Sequence, residues 1–154
     1  MNTPTVLRQI GIAATFVLLL NASLVHSQGD HSEQRSGVLK EVADIPLPGP
    51  AVRFDYQSLD VKNGRLYIAH MNADQLVVFD TQKRQAVANL DGFKRVHGVI
   101  AVPEIDRVFA SATGEHQMAA VDMNTLKIIG MAGPIDYPDG LAYSPSTKRG
   151  FRLR

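Results

Sequence analysis

The chain has 154 residues, with 16 Lys and Arg against 15 Asp and Glu, no Cys, no Trp and 6% aromatic residues. Near-neutral charge argues against a broad nonspecific nucleic-acid or anionic-membrane footprint. The missing thiols exclude disulfide staples and a Cys-x-x-Cys-His haem attachment. No stretch matches His-Glu-x-x-His, a Gly-x-Ser-x-Gly elbow or a phosphate-cradling Gly-rich loop before a helix. The sequence therefore nominates no catalytic residue and specifies neither a cofactor nor a metal.

Residues 1–27 read as a secretory signal. Arg8 supplies the positive start, Ile10 to Leu20 is an 11-residue apolar core too short to span a bilayer comfortably, and Val25-His26-Ser27 offers small residues for cleavage before Gln28. The expected location is periplasmic or secreted, with no membrane span after cleavage. Loss of Arg8 would leave equal numbers of basic and acidic residues. Residues 28–37 are polar and read as a flexible lead-in. Residues 38–48 resemble the last strand of the unit described next, Ile45 and Leu47 matching Ile129 and Met131. They read as an orphan outer strand that lacks a sheet of its own.

From there the chain repeats itself every 42 residues. That shift takes Arg65 to Arg107 to Arg149, Asp55 to His97 to Asp139, Val61 to Pro103 to Pro145, and Asp80 to Asp122. Each unit holds four short apolar runs bounded by Gly, Pro, Asp or Asn, the pattern of four strands joined by tight turns. No long stretch has helical periodicity. The middle runs, such as Leu66-Tyr67-Ile68-Ala69 and Leu76-Val77-Val78-Phe79, are apolar without alternation, as in strands covered on both faces. A four-stranded unit of about 40–45 residues, covered by copies of itself, is a β-propeller blade. The predicted fold is therefore all-β, an incomplete propeller of four-stranded antiparallel blades over residues 38–154. Its whole blades are 53–92 and 96–133, and 138–154 reads as a truncated one. Because propellers generally close with about four to eight blades, the chain is expected to be the opening arc of a longer protein.

The pattern Arg53-Phe54-Asp55-Tyr56, Arg65-Leu66-Tyr67-Ile68-Ala69-His70 and Val77-Val78-Phe79-Asp80 resembles the YVTN-repeat, YncE-like β-propellers of bacteria. Tyr67-Ile68-Ala69-His70 stands at the Tyr-Val-Thr-Asn signature, Phe109-Ala110-Ser111-Ala112 is a looser copy, and Pro138-Asp139-Gly140-Leu141-Ala142 matches the blade opening. The resemblance covers about residues 38–151. It implies an exported seven-bladed propeller, a class in which some members bind DNA, others belong to surface layers, and many have no assigned role. The Pro-Asp-Gly-Leu-Ala opening is also similar to gluconolactonase-type propellers, whose metal ligands are spread around a whole ring.

Propeller geometry places the start of each first strand on one rim. Asp55, His97 and Asp139 are thus expected around a channel mouth, beneath the loops that carry His70 and His116. Carboxylates and imidazoles converging there could bind a polar ligand or a divalent metal. Each residue also has a plainer reading, Asp55, His97 and Asp139 as turn caps and His70 and His116 as solvated loop residues. Asp80 and Asp122 read as turn formers. The expected function is a non-catalytic binding or interaction scaffold for a protein or small molecule. A metal-dependent lactonase-like hydrolase and a single-stranded DNA binder are the alternatives, the latter opposed by the neutral charge and scarce aromatics.

Overall fold

The computed structural model describes residues 39–152. The expected signal segment 1–27, the lead-in 28–37 and residue 38 lie outside the described residues. The chain divides into two units, Met1–Lys40 and Glu41–Arg154, and the architecture below is that of the second. Ten strands are present among the described residues: β1 (Gln57–Asp60), β2 (Arg65–His70), β3 (Gln75–Asp80), β4 (Gln85–Leu90), β5 (Val96–Val102), β6 (Arg107–Ala112), β7 (Gln117–Asp122), β8 (Ile128–Ala132), β9 (Leu141–Ser144) and β10 (Arg149–Arg152). They form two four-stranded sheets, β1-β2-β3-β4 and β5-β6-β7-β8, and a two-stranded one, β9-β10. All pairings are antiparallel. No described helix is long and apolar enough to cross a membrane.

The sequence period is also a backbone period. Arg65 faces Asp80 across the β2–β3 hairpin, and Arg107 faces Asp122 across β6–β7. A register shift falls at Val78/Phe79 in the first sheet and at the equivalent Ala120/Val121 in the second. Left-handed backbone recurs on the same step, at Gly64, Asp106 and Lys148, at Asp74 and His116, at Arg84 and Leu126, and at Arg95 and Tyr137. A residue with a Cβ adopts that conformation at a cost. Its return at equivalent positions, whatever side chain stands there, shows that the turn geometry of the repeat demands it.

The two four-stranded sheets share one apolar core. Tyr67, Ala69, Leu76 and Val78 lie on one face of the first sheet. They join Val96, Val99, Val108, Ala110, Ala119 and Val121 of the second, with Phe93 and Met123 closing the ends. Alternation along a strand sends every second side chain to the same face, which explains why Tyr67 and Ala69 belong to this core while Leu66 and Ile68 lie on the other side. Each large side chain buried here contributes roughly 1.5–3 kcal/mol. Polar bonds sew the same seam: Arg65 Nη1 donates to the Met123 carbonyl at 2.7 Å, the Ala101 N–H to Ser58 Oγ at 3.0 Å, and the Tyr56 N–H to the His97 carbonyl at 3.3 Å.

The third repeat, β9 and β10, meets the second sheet through β5. Gly98 is required at that approach, because a Cβ there would collide with the Asp139 carbonyl oxygen. Residues 39–48, within the segment expected as an orphan outer strand, carry no strand among the described residues. A strand needs a ladder partner for its N–H and C=O groups, and among the described residues none pairs there. Instead the chain just beyond it, at Gly49 and Pro50, lies against the His70 side chain.

Candidate functional site

Three consecutive repeats deliver Asp55, His97 and Asp139 to one end of the sheets. Asp55 precedes β1, but its N–H already donates to the Ala69 carbonyl at 2.9 Å, and the Ala69 N–H returns to Tyr56, so the ladder extends upward to it. His97 is the second residue of β5. Asp139 lies just before β9, where Ser111 Oγ donates to its carbonyl at 2.9 Å while accepting the Gly98 N–H at 2.6 Å. Thr113 Oγ1 donates to the neighbouring Pro138 carbonyl. The carbonyls of His97 and Asp139 occupy the same repeat position, and each accepts a bond from the preceding sheet.

His97 stands between the two carboxylates. Its Nδ1 is 3.2 Å from Asp55 Oδ2 and 3.5 Å from Asp139 Oδ1, and its side chain is only 7% exposed. Arg53 flanks Asp55 at 3.4 Å, and the Tyr137 ring meets the imidazole edge-on at a centroid distance of 5.7 Å. Both acids approach the same ring nitrogen, which carries at most one proton and can donate to only one of them. Among the described residues His97 Nε2 and Asp139 Oδ1 are buried without a hydrogen-bond partner. Buried polar groups are nearly always partnered, so this rim retains binding capacity that no protein group takes up.

The other two candidate histidines are not part of the cluster. His70, expected in a solvated loop, is fully buried as the last residue of β2. Its Nε2 lies 3.1 Å from the Pro50 carbonyl, and its ring stacks on Phe54 at 4.0 Å. His116 is exposed, and its left-handed backbone ends a 3-10 turn at Thr113–Glu115. The His116 carbonyl accepts the Ile135 N–H at 2.7 Å, as the Asp74 carbonyl accepts that of Phe93 one repeat earlier. Among the described residues no three His, Asp or Glu side chains form a set suited to a metal ion. At the rim the two carboxylates converge on an imidazole nitrogen, not on a common point between donors.

Asp80 and Asp122 lie at the ends of β3 and β7 and organise turns. The Lys83 and Gln82 amides bond the Asp80 carboxylate, and those of Thr125 and Asn124 bond Asp122. Amide donors stabilise the charged form, so both carboxyls sit below their ordinary range, with Lys83 N–H the leading cause for Asp80 and Thr125 N–H for Asp122. Sequence reasoning did not single out Ser111 or Tyr137. Ser111 replaces Ala69 of the first repeat, so a polar residue in an apolar run was the available sign. Nothing in the sequence brings Tyr137 to His97.

No protein-family model matches the chain, and no curated protein does. Solved structures do. The chain is similar to hydrazine synthase of Kuenenia stuttgartiensis, with a TM-score of 0.60 and 15% identity over 73% of this chain and 31% of that one. It is also similar to apo AztD from Citrobacter koseri, with a TM-score of 0.50 and 10% identity over 58% and 26% of the respective chains. Both are proteins of β-propeller type, and at such identities the likeness concerns fold alone. It agrees with the antiparallel four-stranded sheets described above. The chain spans less than a third of the length of either protein.

Proposed function

We propose that the chain belongs to an exported β-propeller of the YVTN-repeat, YncE-like class and serves as a non-catalytic binding scaffold, with Asp55, His97 and Asp139 contacting a small polar ligand. The observation that carries this reading is the nearly enclosed His97, held between acids from two other repeats while Nε2 and the Asp139 carboxylate keep unused hydrogen-bonding capacity. Export is supported by the Arg8, Ile10–Leu20 and Val25-His26-Ser27 pattern. The family assignment is supported by the 42-residue recurrence and the Tyr67-Ile68-Ala69-His70 motif.

Imidazole nitrogen NMR of the full chain, titrated with a panel of small polar compounds, tests the site. A binding compound is expected to move the His97 Nε2 resonance, and Asp139→Asn to abolish the response. Metal content after purification without chelator separates the scaffold from the hydrolase. A stoichiometric ion lost on Asp139→Asn would contradict the scaffold reading and favour a metal-dependent lactonase-like hydrolase. Tight, steeply salt-dependent binding of single-stranded DNA would contradict it in the other direction.

A further inference from the structure

A second concavity, of about 310 Å³, is lined by Lys94, Arg95, Thr113, Gly114, His116 and Tyr137. Three segments build it: the linker between the first two sheets, the 3-10 turn between β6 and β7, and the entry to the third repeat. Gly114 lets the linker come close. A Cβ there would sit 2.8 Å from Lys94 Cγ and 3.1 Å from the Lys94 carbonyl oxygen, which the Gly114 N–H bonds at 2.9 Å. The linker is pinned from its other side by the Arg95 N–H, which donates to Asp74 Oδ1 at 2.8 Å. Gly114 replaces Asn72 of the first repeat, whose N–H bonds the equivalent entry segment at the Arg53 carbonyl at 3.2 Å, so the turn-to-linker bond recurs and only the missing Cβ is particular to the second repeat.

Among the described residues no acid lines the cavity itself, although the Asp74 carboxylate holds the Arg95 N–H from the far side of the linker. Neither Lys94 nor Arg95 has a carboxylate within ion-pair distance among the described residues, as is also true of Arg84 and Lys127. What sets the pair apart is that both line one concavity. Two cations on adjacent residues repel each other, and an anion between them would relieve that repulsion. The volume is at the small end for ligand pockets. That suits a compact anion better than a nucleic-acid strand.

We infer that this pocket binds a small oxyanion-bearing ligand, its phosphate or carboxylate group held by Lys94 and Arg95 beside the His116 imidazole, with the Tyr137 ring against the rest of the molecule. The inference does not rest on the reading of the Asp55, His97 and Asp139 rim. It is tested on the full chain by following the backbone amide resonances of Gly114 and Arg95 while adding inorganic phosphate or, separately, citrate.

Saturable shifts are expected with at least one probe. The tighter of the two identifies the ligand as a phosphate or a carboxylate. Lys94→Gln and Arg95→Gln should each weaken binding about tenfold, the scale of one charge-assisted hydrogen bond. Arg84→Gln, which removes a cation from the β3–β4 turn, should leave it unchanged. Gly114→Val should abolish it by displacing the linker. Absence of saturation with both probes overturns the inference. So does an equal loss with Arg84→Gln, which would mean diffuse surface charge. Displacement of phosphate by single-stranded oligonucleotides with affinity rising with length would also overturn it, showing an extended nucleic-acid surface.

Discussion

The two faces of the second sheet come from one repeat yet are held in different ways. Val108, Ala110, Ala119 and Val121 are fully buried in the core shared with the first sheet. On the opposite face, Phe109, Met118 and Ala120 border an apolar groove of about 250 Å³ and remain partly exposed. There the third repeat is attached through polar contacts, Ser111 to Asp139 and Thr113 to Pro138. The first face is held by burial, which is nondirectional. The second is held by directional bonds to two carbonyls, and these fix the position of Asp139 beside His97. Apolar packing supplies stability, and the polar clasp supplies the geometry of the rim.

The largest effect should come from hollowing the buried face. Leu76→Ala is expected to destabilise the chain by about 3 kcal/mol, the usual range for a fully buried leucine. Phe109→Ala, on the partly open face, should cost less than half as much despite removing more atoms. Urea denaturation of both variants checks this, and equal losses would break the distinction. Ser111→Ala should come next, at about 2 kcal/mol, because it strips an acceptor from the buried Gly98 N–H as well as the bond to Asp139. Faster hydrogen exchange at Gly98 is the accompanying sign.

Two smaller effects sharpen the comparison. Tyr67 carries a fully buried hydroxyl beside Arg65, with no partner at full hydrogen-bond geometry among the described residues. Burial pushes its phenol above the ordinary value of 10.0, although Arg65 beside it pulls part of the way back. A raised folded value means that the stabilising contribution is complete below pH 10.0 and fades as pH rises through the folded value. Tyr67→Phe should therefore leave stability near neutral pH almost unchanged or slightly higher, and remove that alkaline loss. Asp122 behaves oppositely. Its folded value is depressed, so its contribution is present above pH 3.8 and is lost as pH falls below that through the folded value. Asp122→Asn should flatten that acid limb of the urea midpoint, since the amide no longer titrates.

Much of the architecture was legible because the period is written in several chemistries at once. Arg65 and Arg107 mark the start of a second strand, Asp80 and Asp122 the end of a third, and apolar runs fill the space between. Four-stranded antiparallel sheets follow from those signals. The left-handed positions were not legible, since Gly64, Asp106 and Lys148 share a backbone state but no side-chain chemistry. The grouping of Asp55, His97 and Asp139 could be anticipated from the repeat step. The burial of His70 could not, because it depends on the path of the segment at Gly49 and Pro50, which precedes the first whole repeat. The Lys94 and Arg95 pocket was equally hidden, resting on what a single Gly114 permits a distant linker to do.

Successive repeats stack as adjacent sheets and thereby gather side chains about 42 residues apart at one rim. The most direct measurement is the nuclear Overhauser contact between the His97 and Tyr137 rings, whose centroids lie 5.7 Å apart. A cross-peak between the two rings, retained in Phe109→Ala and weakened in Ser111→Ala, is the expected result. A folded chain in which the His97 ring contacts only residues of its own sheet would contradict the stacking and remove the rim with it.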